Sequence, residues 1–335
     1  MQLNKVLNTM RRSKIIAIEH YLPEITLSNK TLENQFPNWP AEKIVRKTGI
    51  EKRHLARENE CASDLAEKAA IKLFKSGICT PQDIEFIVLC TQSPDYFLPT
   101  TACLLQDRLG IKQEAGAFDF NLGCSGYIYG LSIAKGLIET HQVNNVLLIT
   151  AETYSKYLDD NDVSTRTIFG DGATATYIEA EKEGNNSLIG PFVFGTDGSG
   201  KDNLIVKNGA SKHRADHSVA DKLFMNGPAI FSFTIKTLPN AINQLLKKAN
   251  INIHDIDHFI FHQANEYILS YLRDKINIPS HKFYINLKNY GNTVSSSIPI
   301  ALQEALSTGV VKKEDRVMLV GFGVGYSWSA CLIYP

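Results

Sequence analysis

The chain has 335 residues, with Lys+Arg and Asp+Glu both at 35 and so no net charge at neutral pH. That balance argues against a protein that coats nucleic acid through bulk electrostatics. Hydrophobic residues make up 44% and charged residues 21%, which suits a globular protein whose length fits two joined halves over a large core.

Residues 1–14 (MQLNKVLNTMRRSK) contain no apolar h-region, so no secretory signal is expected. No run approaches the ~18 apolar residues of a membrane span. The six cysteines (Cys61, Cys79, Cys90, Cys103, Cys124 and Cys331) are scattered without a C-x-x-C pair. They read as reduced thiols of a cytoplasmic protein rather than a disulfide framework.

In chain order, residues 72–91 (KLFKSGICTPQDIEFIVLCT) run from the end of an amphipathic helix through a polar break into an apolar strand. A short strand at 117–121 (AFDFN) then leads into the helix-like run GCSGYIYGLSIAKGLIE. Strands are expected at 146–151 and 173–180. Residues 244–263 (QLLKKANINIHDIDHFIFHQ) repeat the first pattern, with Asp255–Ile256 matching Asp83–Ile84 and His262 opposite Cys90. Residues 283–287 (FYINL) repeat the second and lead through KNYGNTVSSSIPIALQEAL into another helix, with Asn292 near the place of Cys124. Further strands are expected at 317–322 and 327–334. Alternating strands and helices imply βαβ units and largely parallel sheets. The two halves imply a pseudo-twofold axis, near which Cys124, His262 and Asn292 meet at strand-to-helix junctions, where ligands bind in α/β sheets.

A thiol at a helix N-terminus is expected to have a lowered pKa, and Gly123, Ser125 and Gly126 to leave room for a substrate. The Asn292 amide can donate to a developing negative charge. The glycines of GFGVG (321–325) permit close backbone approach and a second oxyanion donor. His254, His258 and His262 have no ligand set to complete a zinc site. FGDGATA (169–175) lacks Walker spacing and a following Lys, and reads as a turn before a strand.

Cys124 in GCSG, His262 in HQAN, Asn292 in YGNT and the late GFGVG resemble the ketoacyl-ACP synthase III group of the thiolase superfamily. KTGIEKRH, LPTTACLLQDRLG and IFGDGA agree, and the resemblance runs from about Lys14 to the C-terminus. It implies an α/β thiolase-like fold of duplicated βαβ halves, 1–185 with the Cys and 186–335 with the His and Asn, layered α/β/α/β/α. It implies decarboxylative condensation of an acyl thioester, from acyl-CoA or acyl-ACP, with malonyl-ACP. Cys124 is then the acylated nucleophile, His262 and Asn292 stabilise the enolate, and the N–H groups of Cys124 and Val324 hold the oxyanion. Substrate contacts are expected from Asn265, Phe322, Gly323, Lys47 and Leu98. No metal or redox cofactor is required, and partners are the acyl carrier protein and a second copy, with 97–105 at the dimer interface.

Thiolases carry a second catalytic Cys near the glycine loop, whereas Cys331 lies in the last strand. Hydroxymethylglutaryl-CoA synthases use a Glu where this chain has Gln92. Plant-type polyketide synthases are usually longer and lack HQAN. Four positions depart from the family. Lys43 and Lys47 stand where a Trp and an Arg often grip CoA, Tyr267 replaces a frequent Arg, and Arg166 is shifted from the arginine expected before IFGDGA. Lys236, Arg273 and Lys275 are candidates for docking an acidic carrier. Two rival readings are an acyltransferase to a hydroxyl or amine and a non-catalytic partner.

Overall fold

The computed structural model describes residues 11–181, 188–214, 216 and 218–335. Residues 1–10 of the segment read for a signal, and the expected boundary at 185/186, lie outside the described residues.

The chain opens with β1 (Arg12–Tyr21), then the antiparallel pair β2 (Ile25–Ser28) and β3 (Lys52–Leu55), with α1 (Asn29–Gln35) and α2 (Ala41–Thr48) between them. Next come α3 (Ala62–Lys75), β4 (Phe86–Cys90), α4 (Thr101–Arg108) and β5 (Gly116–Phe120). α5 (Gly126–Glu139), β6 (Asn145–Glu152), α6 (Val163–Arg166) and β7 (Gly172–Glu181) complete the first half. The second half starts with β8 (Ile189–Thr196), the small pair β9 (Leu204–Val206) and β10 (Leu223–Met225), and α7 (Gly227–Ala249). It continues through β11 (His258–Phe261), α8 (Glu266–Ile276), β12 (Phe283–Tyr284), α9 (Ser297–Ser307), β13 (Val317–Gly323) and β14 (Ser327–Ile333).

The strands form two sheets of matching order, β1-β7-β6-β4-β5 and β8-β14-β13-β11-β12. In each, the first two pairings are antiparallel and the last two parallel. The sheets are therefore mixed, where alternation alone suggested largely parallel ones. One reason is local: β13 and β14 are separated only by residues 324–326, and so short a link joins neighbouring strands antiparallel.

The repeated D-I pair has a physical basis. Pro81–Asp83 and Ile253–Asp255 are short 3₁₀ turns, each closed by a capping box, Thr80 with Asp83 and Asn252 with Asp255. The isoleucines that follow, Ile84 and Ile256, are fully buried and start the chain into β4 and β11.

Five layers result. α5 buries Tyr127, Ile128, Leu131, Ala134 and Ile138, an apolar stripe at helical spacing. α9 buries Ile298, Ala301, Leu302 and Ala305. These helices share one core with Val88, Val146 and Leu148 of the first sheet and Ile260, Val317 and Leu319 of the second. α3 and α4 cover the outer face of the first sheet, and α7 and α8 that of the second. Each large aliphatic side chain buried in the middle layer stabilises by roughly 1.5–3 kcal/mol, so the halves are welded across it. The N-termini of α5 and α9 consequently converge on the strand ends of both sheets. Among the described residues no helix is long and apolar enough to cross a membrane.

Candidate active site

Cys124 lies in the turn between β5 and α5, 5% exposed. The other half of the chain is pressed against it. A Cβ on Gly321 would stand 2.7 Å from Ser125 Cα and 2.9 Å from the Cys124 carbonyl oxygen. One on Gly323 would stand 3.0 Å from Cys124 Cβ and 3.1 Å from its Sγ. Gly321 is thus required by close backbone approach, as the GFGVG reading expected, while at Gly323 a side chain would press on the thiol itself. Ser125 Oγ lies 2.6 Å from Ser327 Oγ, and Ser329 Oγ donates to the Ser125 carbonyl at 3.0 Å.

Two expectations about this turn are corrected. The glycines beside Cys124 make room for protein rather than substrate: the space beside Gly123 is taken by Gln92 and Val324, and that beside Gly126 by Cys90 Sγ. The thiol is not lowered in pKa. Burial, and secondarily the Glu152 carboxyl, push it above its usual range. Desolvation of the charged form outweighs the pull of the helix N-terminus here, so the resting group is a neutral thiol.

His262 follows β11 directly. Its Nδ1 lies 2.7 Å from Ser297 Oγ at the start of α9, and its ring meets Phe322 edge-on, centroids 5.4 Å apart. With Nδ1 so engaged, Nε2 is the nitrogen left for the cavity. Burial drops the imidazole pKa to about 3, so it is neutral at physiological pH. Gln263 and Asn265 also make bonds that brace the segment. Gln263 Nε2 donates to the Phe261 carbonyl at 2.6 Å, and its Oε1 accepts the Asn286 N–H at 2.6 Å. Asn265 Oδ1 accepts the Ile268 N–H at 2.9 Å and caps α8.

Asn292 is held by its own main chain. Its N–H donates to the Ile168 carbonyl at 2.9 Å, and its carbonyl accepts the Gly170 N–H at 3.0 Å. These bonds belong to a parallel bridge with Phe169, so the FGDGATA turn serves to hold Asn292. Its side-chain Oδ1 accepts the Val294 N–H at 2.9 Å, leaving the NH₂ free to donate. Val294 has φ of 54°, a left-handed backbone that costs a β-branched residue on the order of 1–3 kcal/mol.

These pieces enclose one cavity of about 430 Å³, walled by Cys124, His262, Asn292, Asn265, Phe322 and Gly323 among the expected residues. The oxyanion candidate Val324 does not line this cavity but is partly buried against the cluster that includes Cys124. Lys47 and Leu98 are not brought to the cavity within one chain. Lys47 and Lys43 place their Nζ 5.2 and 4.5 Å from the Trp39 ring centre, and Leu98 is 83% exposed. Arg273 is paired with Asp274 at 2.7 Å. His258 faces Asp315 at 3.3 Å.

The apolar walls were not foreseen. Leu204 and Met225 come from the small β9–β10 pair, Ile230 and Phe231 from α7, and Tyr154 and Phe169 from the loops beyond β6. No single periodicity marks these residues, because the wall is assembled from short strands, loops and the first turn of α7. Tyr267, noted as a departure, is also at the wall and meets Phe231 in a tilted ring contact, centroids 5.6 Å apart. A thiol, an imidazole nitrogen and a free amide around one apolar space can together form a thioester and hold an oxyanion or enolate.

Comparison with known proteins agrees with this geometry. Residues 118–198 match the family profile of 3-oxoacyl-[acyl-carrier-protein (ACP)] synthase III, and residues 246–334 that of its C-terminal region. The chain is 40% identical to the beta-ketoacyl-[acyl-carrier-protein] synthase III of Clostridioides difficile (strain 630), over 96% of this chain and 98% of that one. A 2.1 Angstrom crystal structure of a 3-oxoacyl-(acyl-carrier-protein) synthase III superposes with a TM-score of 0.94 at 49% identity, covering 97% of this chain and 100% of the other. The enzyme of the same type from Thermus thermophilus gives 0.88 at 35%, covering 96% and 99%. The chain therefore belongs to the 3-oxoacyl-[acyl-carrier-protein] synthase III family, with the thiolase-like fold of that family.

Proposed function

We propose that this chain catalyses decarboxylative condensation of an acyl thioester with malonyl-ACP, through an acyl group carried on Cys124. The observation that carries the reading is the convergence of Cys124, His262 and Asn292 on one apolar cavity. In the first half-reaction Cys124 Sγ attacks the donor carbonyl, and the N–H groups of Cys124 and Val324 hold the tetrahedral oxyanion. The donor thiol departs, taking up the proton that Cys124 loses. In the second, malonyl-ACP loses carbon dioxide and leaves an enolate, whose oxygen accepts hydrogen bonds from His262 Nε2–H and the Asn292 amide. Its carbon attacks the Cys124 thioester. A 3-oxoacyl-ACP leaves, and the released thiolate takes up a proton. A neutral imidazole suits this step, since it donates without placing a second charge in a dry site.

The test is product analysis with a panel of acyl-CoA and acyl-ACP donors plus malonyl-ACP. The expected result is one carbon dioxide released per 3-oxoacyl-ACP formed. Acyl transfer to a hydroxyl or amine without carbon dioxide release would favour the rival acceptor. Lys236 and Lys275, both exposed, remain the cations open to an acidic carrier.

We also propose a homodimer. β5 has a partner on one side only, and beside it Tyr96, Phe97 and Leu98 are 60%, 78% and 83% exposed. An open edge next to consecutive exposed apolar side chains is a surface for a second copy, which would also bring Leu98 to its neighbour's substrate. Light scattering after size-exclusion chromatography should give twice the 37.3 kDa chain mass. The Phe97→Asp, Leu98→Asp double variant should shift it to a single chain. A wild-type monomer would contradict the proposal.

A further inference from the structure

Glu152, at the end of β6, is fully buried and takes no part in the chemistry above. It joins three segments of the site. Its Oε1 lies 2.7 Å from Ser295 Oγ. Its Oε2 accepts the Gln92 N–H at 3.1 Å and the Ser93 hydroxyl at 3.3 Å. Ser295 follows the left-handed Val294, whose N–H holds the Asn292 side chain. A β-branched residue keeps such a backbone only where its surroundings over-determine it. One such constraint is Ser296, whose Oγ lies 2.8 Å from Thr150 Oγ1 and donates to the Gly172 carbonyl at 3.1 Å. The next contact along the same segment is Ser295 with Glu152.

We propose that Glu152 is a positioning residue for the decarboxylation step: through Ser295 it holds the turn at Val294 from which Asn292 aims its amide into the cavity. The inference rests on the functional reading above.

The carboxyl works as a neutral acid. No ion pair reaches it among the described residues, and the charged or titratable groups around it are Asp171, Cys124, Cys90, Tyr154 and Tyr157. None of these supplies a cation. Burial first, with Asp171 adding, raises Glu152 to about 8. Ser295 Oγ donates to an ionised Oε1. Once the carboxyl is protonated the proton sits on Oε1, because Oε2 accepts from Gln92 and Ser93. The bond then reverses, and the Ser295 hydroxyl turns to Cys90, with which it also interacts. Cys90 in turn donates to the Leu122 carbonyl at 2.9 Å, just before Cys124. A glutamine reproduces the donor and acceptor placement, with its NH₂ toward Ser295 and its oxygen toward Gln92 and Ser93.

The experiment compares Glu152→Gln, Glu152→Ala and Ser295→Ala by two readouts: kcat and KM for malonyl-ACP decarboxylation, and the rate of Cys124 alkylation by iodoacetamide. Glu152→Gln should stay within about threefold of wild type in both. Glu152→Ala and Ser295→Ala should each lose about 10–100-fold in decarboxylation kcat, the range seen when a supporting hydrogen bond behind a site is cut. KM should stay within about threefold and alkylation should not fall by more than that, since removing the Glu152 carboxyl can only ease ionisation of the thiol. The double variant should be no worse than Glu152→Ala, as expected for residues acting through one contact. Should Glu152→Ala not fold, Ser295→Ala carries the same comparison. Unchanged decarboxylation in Ser295→Ala, equal loss in both readouts, or a Glu152→Gln variant as poor as the alanine would overturn the role. A wild type that releases no carbon dioxide from malonyl-ACP would instead overturn the functional reading, and the role with it.

Discussion

Replacing Cys124 with alanine is expected to reduce condensation by on the order of 10⁴-fold or more, since removing a covalent nucleophile removes the pathway and not one contact. The prediction is specific about what survives. His262 and Asn292 reach the cavity from other segments and hold their geometry through Ser297 and Val294. None of those bonds involves the Cys124 side chain. Malonyl-ACP should therefore still lose carbon dioxide on Cys124→Ala, giving acetyl-ACP without a 3-oxoacyl product. Loss of carbon dioxide release together with condensation would show that the two half-sites are not separable as drawn.

His262→Ala and Asn292→Ala should produce the converse. Each removes one donor to the enolate oxygen, and loss of one such donor in a dry site costs about 10²–10³-fold. Decarboxylation should fall by that factor while acyl transfer to Cys124 stays within about tenfold. The double variant should lose less than the product of the two single losses, because both donors serve one oxygen. Stopped-time mass analysis for the first half-reaction and labelled carbon dioxide release for the second separate the two. Equal loss of both half-reactions in either single variant would contradict the division of roles.

Much of the fold was legible because capping and burial leave marks at fixed offsets. The D-I pair carries a capping aspartate and a buried isoleucine in both halves, and so the duplication could be read without a structure. Cys124, His262 and Asn292 were legible as residues at strand-to-helix junctions, and the structure places all three on one cavity. The rest escaped for physical reasons. The sheets' mixed character depends on connections such as residues 324–326, which periodicity does not report. The thiol's raised pKa depends on burial, in a cluster that Cys124 shares with Phe169, Leu204 and Leu223, residues remote in the chain. Gly123 and Gly126 looked like openings because a missing Cβ reads the same whether substrate or protein fills the space; Gln92, Val324 and Cys90 fill it. Glu152 gave no signal at all, since a carboxylate ending an apolar strand is more often a solvated terminus than a buried brace.

The measurement that tests the central claim most directly is the intact mass of the protein after incubation with a panel of acyl-CoA and acyl-ACP donors, run beside Cys124→Ala. The account predicts one acyl adduct per wild-type chain, mapped to Cys124 and absent from the variant, that disappears when malonyl-ACP is added. Adducts of equal yield on wild type and Cys124→Ala would contradict it, and would leave Cys124 as packing between the two halves.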